Sequence, residues 1–408
     1  MAVNDATSRP GGWREVPPAV WALGFVSLLM DVSSEIIHAL LPVYLVTAMG
    51  ASMVVVGLIE GIAEATASIV KVFSGALSDW MGKRKLLAVI GYGLAACTKP
   101  IFPLAGSVGW LVLARFVDRV GKGIRGAPRD ALIADVVPPH LRGASFGLRQ
   151  SLDTVGAFVG PALAIALMWL TADNFRVVFW VAAIPAFLSV ALLIFVVAEP
   201  ARAASRDPKW PLSVAQLKRL GPAYWQIAAI GTVFSLARFS EAFLILRAQA
   251  VGVTVMLVPL VLVLMNVAYA LSAYPAGALS DRIDRVTVLK IGFALLVAAD
   301  LVLAFTTGLA GIVAGVALWG LHMGLTQGLL SAMVADTAPQ ELRGTAYGVF
   351  HLLTGLALLA ASVLAGALWE RIGSQGTFLA GAAFTVIALV GLAVSRPQAP
   401  ALSPGREA

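Results

Sequence analysis

Apolar runs of about 20 residues follow one another along almost the whole chain, separated by short polar connections. They fall near 18–48, 52–77, 86–104, 108–127, 146–170 and 176–197, then near 222–250, 254–278, 287–308, 310–334, 345–368 and 375–395. The pattern predicts twelve spanning helices, because lipid offers backbone N–H and C=O groups no partner outside their own segment. The only long polar interruption, rich in Pro and basic residues, covers 198–221. It predicts three regions: a six-helix bundle over 1–197, a linker over 198–221, and a second six-helix bundle with a short tail over 222–408.

Composition points the same way. Of 408 residues, 59% are apolar and 12% are charged, whereas soluble domains carry about 25% charged residues. Mean hydropathy is +0.89. The lone Cys97 excludes an intrachain disulfide and a Cys-based metal cluster. A net charge of +7 raises the possibility of nucleic-acid binding, but its placement argues against it. Lys83, Arg84 and Lys85 share one connection, Lys122, Arg125, Arg129 and Arg142 surround another, and Arg282 and Arg285 sit in a third. The alternate connections, near 49–52, 104–108 and 306–311, are bare. That is the positive-inside asymmetry. It predicts an inner-membrane protein with both termini cytoplasmic and an even number of spans.

The chain also repeats itself. GALSD occurs at 75–79 and again at 277–281, an offset of 202. ADVVPPHLRGASFG at 134–147 aligns without gaps to ADTAPQELRGTAYG at 335–348, an offset of 201. Two separate stretches with nearly the same offset imply one duplicated six-helix unit. Parallel duplication is a recurrent build of secondary transporters, with the binding site between the halves.

GALSDWMGKRK resembles the loop signature of the major facilitator superfamily, with Gly75, Asp79, Gly82, Lys83 and Arg84 at the matching positions. The resemblance implies an all-α integral membrane protein of two six-helix bundles related by a pseudo-two-fold axis, and a loop that latches the outward-open state. The second copy departs, having Asp284 where the first has Gly82. The alternative is a tight charged turn that only fixes topology. GAFVGP gives Gly156, Gly160 and Pro161, a helix kink. It resembles a fifth-helix signature of exporters that exchange substrate for protons, although ALAIAL replaces the further glycines. Ordinary helix packing is the alternative there, as for Gly320, Gly324 and Gly328.

Ionisable residues inside spans are costly and usually face a cavity or a partner. Asp31, Glu35 and His38 share one face of the first span, and Glu60, Glu64 and Lys71 share a face of the second. Two carboxylates close together in a low dielectric cannot both stay ionised, which suits a proton carrier. Asp31, Glu35 and Glu64 are therefore the coupling candidates, against static ion pairs with Lys71, Arg115 or Arg119. Arg115, with Leu111, matches the superfamily's helix-four pattern, which adds Arg115 and Asp118 to the coupling set by resemblance. Arg115 and Asp118 are one turn apart and positioned to pair. Arg149 and Asp153 read as a structural pair. The substrate-binding candidates are His38, Glu60, Lys71, Arg238, Glu241, Asn266, His322 and Gln327. Asn266 stands where the repeat has Glu64.

There is no nucleotide-binding loop and no metal-ligand spacing, so no cofactor or metal is expected, and no enzymatic activity. The leading expectation is a monomeric, proton-coupled exporter of a small drug-like, siderophore-like or anionic solute. A symporter or facilitator importing a sugar or organic acid is the second possibility. A non-transporting membrane sensor is the third.

Overall fold

The computed structural model describes residues 16–81, 83–138, 141–198, 217–280, 283–339 and 342–395. Most of the linker over 198–221, together with Gly82 and Arg282, lies outside the described residues. The N-terminal half contains α1 Pro18–Thr47, α2 Met53–Met81, α3 Arg84–Thr98, the short α4 Ile101–Leu104, α5 Val108–Val136, α6 Arg142–Leu170 and α7 Phe175–Val196. The C-terminal half contains α8 Pro222–Ala237, α9 Ala242–Ala250, α10 Leu260–Ser280, α11 Arg285–Phe305, α12 Leu309–Thr337, α13 Arg343–Ile372 and α14 Ser374–Ser395. Two pairs, α3 with α4 and α8 with α9, each make one span, so these fourteen α-helices of the described residues form twelve crossings.

Eleven helical stretches among the described residues are long and apolar enough to cross a bilayer. The twelfth crossing, α5, has 29 residues and is set apart only by its charges. It also corrects the reading that Lys122, Arg125 and Arg129 surround a connection. The helix continues through Pro128 to Val136, which places all three inside it. The surface is inverted relative to a soluble protein: Phe195, Val394 and Trp169 are 84%, 79% and 71% exposed, while Lys99, Arg115, Asp118 and Glu60 are buried. Lipid on the outside and polar groups inside account for both.

The duplication recurs as contacts. Arg84, at the start of α3, pairs with Asp135 near the end of α5 at 2.8 Å, and 201 positions later Arg285 pairs with Asp336. Each pair ties the third and fourth spans of its half together. Arg84 is thus held within its own half, also donating to Ala131 O at 2.6 Å, while Lys83 is exposed.

The halves meet toward the face with bare connections. Along α2 and α13, small residues allow backbone contact: a Cβ at Gly57 would stand 2.0 Å from Ser362 O, and one at Gly366 would stand 2.3 Å from Met53 O. Glu370 accepts a hydrogen bond from Val54 N at 3.0 Å, capping the first turn of α2 from the opposite half. Asn266 Nδ2 donates to Ala157 O at 3.4 Å between α10 and α6. A cavity remains on the basic-loop side of these contacts.

Among the described residues two spans are discontinuous. The third breaks at Lys99–Pro100, where proline has no N–H to continue the ladder. The seventh breaks at Arg238, which leaves helical geometry with φ −98° and ψ 65°, and helix resumes at Ala242. The seventh break contains neither Gly nor Pro. Tertiary contact supports it: Ser362 Oγ on α13 accepts from Ser240 N at 3.2 Å, and Ser240 Oγ accepts from Ala242 N at 3.2 Å.

Candidate functional site

The cavity between the halves has an inner and an outer compartment, of about 220 Å³ and 420 Å³. Glu35, His38, Glu60, Glu64, Arg119 and Lys122 line the inner one from the N-terminal half. Arg238, Phe239, Ser240, Glu241, Trp319 and Ser362 face them from the C-terminal half. Toward the basic loops, Asp31, Lys71, Arg125, Arg129, Asp153 and His351 line the outer compartment, which shares Glu35, Glu64 and Lys122 with the inner one. Volumes of this order suit a small organic molecule.

A chain of charges runs along the N-terminal wall. His38 Nδ1 lies 3.3 Å from Glu35 Oε2, and His38 Nε2 lies 3.8 Å from Glu60 Oε2. Arg115 Nη2 donates to the same Glu60 oxygen at 2.9 Å. One turn along, Arg119 Nη1 is 3.5 Å from Glu64 Oε1. Because each ring nitrogen of His38 faces a carboxylate, gain or loss of one proton on the imidazole changes the charge balance across Glu35 and Glu60. Behind this wall, Lys99 Nζ donates to Asp118 Oδ1 at 2.9 Å and to Ser34 Oγ at 3.1 Å.

Arg115 and Asp118 therefore do not pair with each other, contrary to the spacing argument. The tertiary partners Glu60 and Lys99 claim them, and Asp118 also has Arg119 Nε at 3.7 Å. Arg149 and Asp153 do pair, at 3.3 Å. Two cations facing the inner compartment have no carboxylate within 4.0 Å among the described residues: Lys122 on α5, and Arg238, whose buried Nε has no hydrogen-bond partner.

Gly156 and Gly160 seat α6 directly against the acidic face of α1. A Cβ at Gly156 would meet Asp31 Cβ at 3.0 Å, and one at Gly160 would meet Glu35 Cβ at 2.5 Å. Pro161 lies inside the same helix. Gly160→Ala forces α6 and α1 apart at Glu35, an overpacking of about 1–3 kcal/mol. The expected outcome is a lower unfolding midpoint for Gly160→Ala, whereas Gly93→Ala, with nothing within 4 Å of the added carbon, leaves the midpoint unchanged or higher. Equal midpoints for the two variants contradict this packing.

Of the sequence-predicted residues, Asp31, Glu35, His38, Glu60, Glu64, Lys71, Arg238 and Glu241 converge on the two compartments. Asn266 sits at the contact between halves, and neither it, His322 nor Gln327 lines either compartment. His322 is wholly buried in the C-terminal half. Arg115 and Asp118 are buried behind the wall. Gly75 and Asp79 lie on α2 near its basic-face end. Sequence reasoning missed Lys122, Lys99, Ser240 and Ser362 as site residues. The charge density of the fourth span was the available signal for Lys122; serines within apolar runs carried none.

The sequence profile of the Major Facilitator Superfamily matches residues 23–246 and 224–408, nearly the whole chain. The chain belongs to that superfamily. This superfamily member is a transporter and not an enzyme, as are its relatives. It is 35% identical over 380 residues to the MFS-type transporter MJ1317 of Methanocaldococcus jannaschii, covering 92% of this chain and 94% of that protein. A shorter likeness, 28% over 159 residues and 39% of each chain, links it to the multidrug resistance protein MdtH of Photorhabdus laumondii. Its fold matches the crystal structure of the nucleoside transporter NupG with a TM-score of 0.74, 14% identity, and coverage of 93% and 99% of the two chains.

Proposed function

We propose that the protein is a proton-coupled antiporter that exports a small organic anion or zwitterion across the inner membrane by alternating access. One observation carries this proposal: Lys122 and Arg238, from opposite halves, offer uncommitted positive charge to the inner compartment beside the Glu35–His38–Glu60 chain. An arginine fork suits a carboxylate or phosphate, and Trp319 supplies a flat wall for an apolar body. Glu35, His38, Glu60 and Glu64 carry the proton exchange, with Asp31 nearer the mouth. The basic loops mark the cytoplasmic side, so the cavity is loaded from the cytoplasm and both termini lie there. The helices of each half rock as a unit, and residues 198–221 link them. One chain supplies both walls, so a monomer suffices. The seating of α1 by Gly156 and Gly160, the Pro161 bend, and the likeness to a protein named for multidrug resistance all favour export.

The test is uptake into proteoliposomes under an imposed pH gradient, screened over organic anions, chelators and amphiphilic drugs. Accumulation of an anionic or zwitterionic solute in vesicles that are acidic inside is expected. Accumulation driven by an acidic exterior identifies a symporter instead. Failure of every charged solute under either gradient contradicts the proposal.

A further inference from the structure

Asp300 lies on α11 outside the lining of both compartments, is 0% exposed, and among the described residues neither of its carboxylate oxygens has a hydrogen-bond partner. Its surroundings are specific. Gly381 on α14 faces it so closely that a methyl group there would stand 2.8 Å from Asp300 Oδ2, 3.0 Å from Phe239 Cε1 and 3.3 Å from Ala237 O. Ala237 is the last residue of α8, and among the described residues no backbone N–H of the break returns to its carbonyl. Two oxygen acceptors thus converge on one glycine with no donor between them.

Among the described residues no hydrogen bond or ion pair joins Asp300 to an ionisable group. Arg247 on α9 donates to Leu303 O at 2.9 Å, Ser374 Oγ at 2.8 Å and Thr306 O at 2.6 Å. His322 on α12 packs edge-on against Trp319 and Phe234, with ring centroids 5.3 Å and 6.3 Å away, and its two ring nitrogens have no hydrogen-bond partner among the described residues. Arg238 faces the inner compartment. A bare carboxylate without a partner in such an interior is prohibitively costly. Carbonyls freed at the end of a broken transmembrane helix are where transporters hold a proton or a sodium ion. One carboxylate and one carbonyl are too few ligands for sodium, and the tight packing at Gly381 admits a hydrogen more readily than an ion.

We propose that Asp300 is a proton-binding site of the C-terminal half, its proton positioned for sharing with Ala237 O at the break of the seventh span. The site is separate from the Glu35–His38–Glu60 chain. It communicates with the cavity through Phe239, whose ring lies 5.4 Å from that of Trp319. Loss of the proton would leave two acceptors opposed at the break that presents Arg238 and Glu241, so protonation of Asp300 bears on the shape of the inner compartment.

The test is infrared spectroscopy of the purified full-length protein in deuterated buffer, which needs no transported solute. A protonated-carboxyl C=O band persisting at alkaline pH is expected in the unmodified protein, with complete loss in Asp300→Asn. Gly381→Ala, which keeps the acid but crowds it, is expected to shift that band. A spectrum in which Asp300→Asn removes only ionised-carboxylate signal overturns the proposal, as does an unchanged spectrum. Disappearance of the band on adding sodium chloride at constant pH also overturns it, by identifying a sodium site. Transport can fail without affecting this result, so it is distinguishable from failure of the antiporter proposal.

Discussion

Arg115→Met is expected to lower the stability of the purified protein by about 3–5 kcal/mol, because it leaves a buried carboxylate without its partner. Arg115 and Glu60 are 2% and 1% exposed and joined at 2.9 Å. Among the described residues Glu60 Oε1 already has no hydrogen-bond partner, so no second donor replaces the guanidinium. The nearest cation left is the His38 ring, at 3.8 Å. Thermal unfolding in detergent reads the effect as a lower midpoint. The companion variant Arg115→Met with Glu60→Gln removes both charges and is expected to recover most of the loss, since the penalty belongs to the unpaired ion rather than to the missing contact. A single variant as stable as the parent shows that Glu60 is neutral in the folded protein, and the charge chain of the N-terminal wall is then wrong.

The second large effect concerns the cargo. Arg238→Gln is expected to weaken binding of the anionic solute found in the vesicle screen by about 10–100-fold, the equivalent of a charge-assisted hydrogen bond of about 1.5–3 kcal/mol. Lys122→Gln is expected to cost less, because Lys122 is exposed to the water of the cavity and its attraction is screened. Equilibrium binding to purified protein separates the two, independently of any proton movement. Unchanged affinity in both variants removes these cations from the binding site and leaves the cargo class without support.

Much of this architecture is legible in the chain because lipid enforces it. A helix in hydrocarbon has to close its own hydrogen bonds, so the twelve crossings show as apolar runs, and the near-constant offset shows the duplication before any contact is seen. The candidate acids were visible for the same reason: Asp31, Glu35, Glu60 and Glu64 interrupt runs where a charge needs a cavity. What escaped depended on distant parts of the chain. The break at Arg238 has no Gly or Pro to announce it, and its support comes from Ser362, 122 residues away. Lys122, Arg125 and Arg129 resemble connection residues because α5 concentrates charge as a loop does, although it is one continuous helix. Arg115 and Asp118 stand at pairing distance along one helix, but local spacing does not show that Glu60 and Lys99 approach from other helices and win both.

The most direct test of proton exchange through the Glu35–His38–Glu60 chain is luminal pH in proteoliposomes. A trapped fluorescent dye reports it while the transported solute is added outside without an imposed gradient. Entry of the solute is expected to make the lumen more alkaline in the parent protein. Glu35→Gln and His38→Gln should abolish that change while still binding the solute. A lumen that turns acidic, or an alkaline shift of undiminished size in both variants, contradicts proton exchange through this chain.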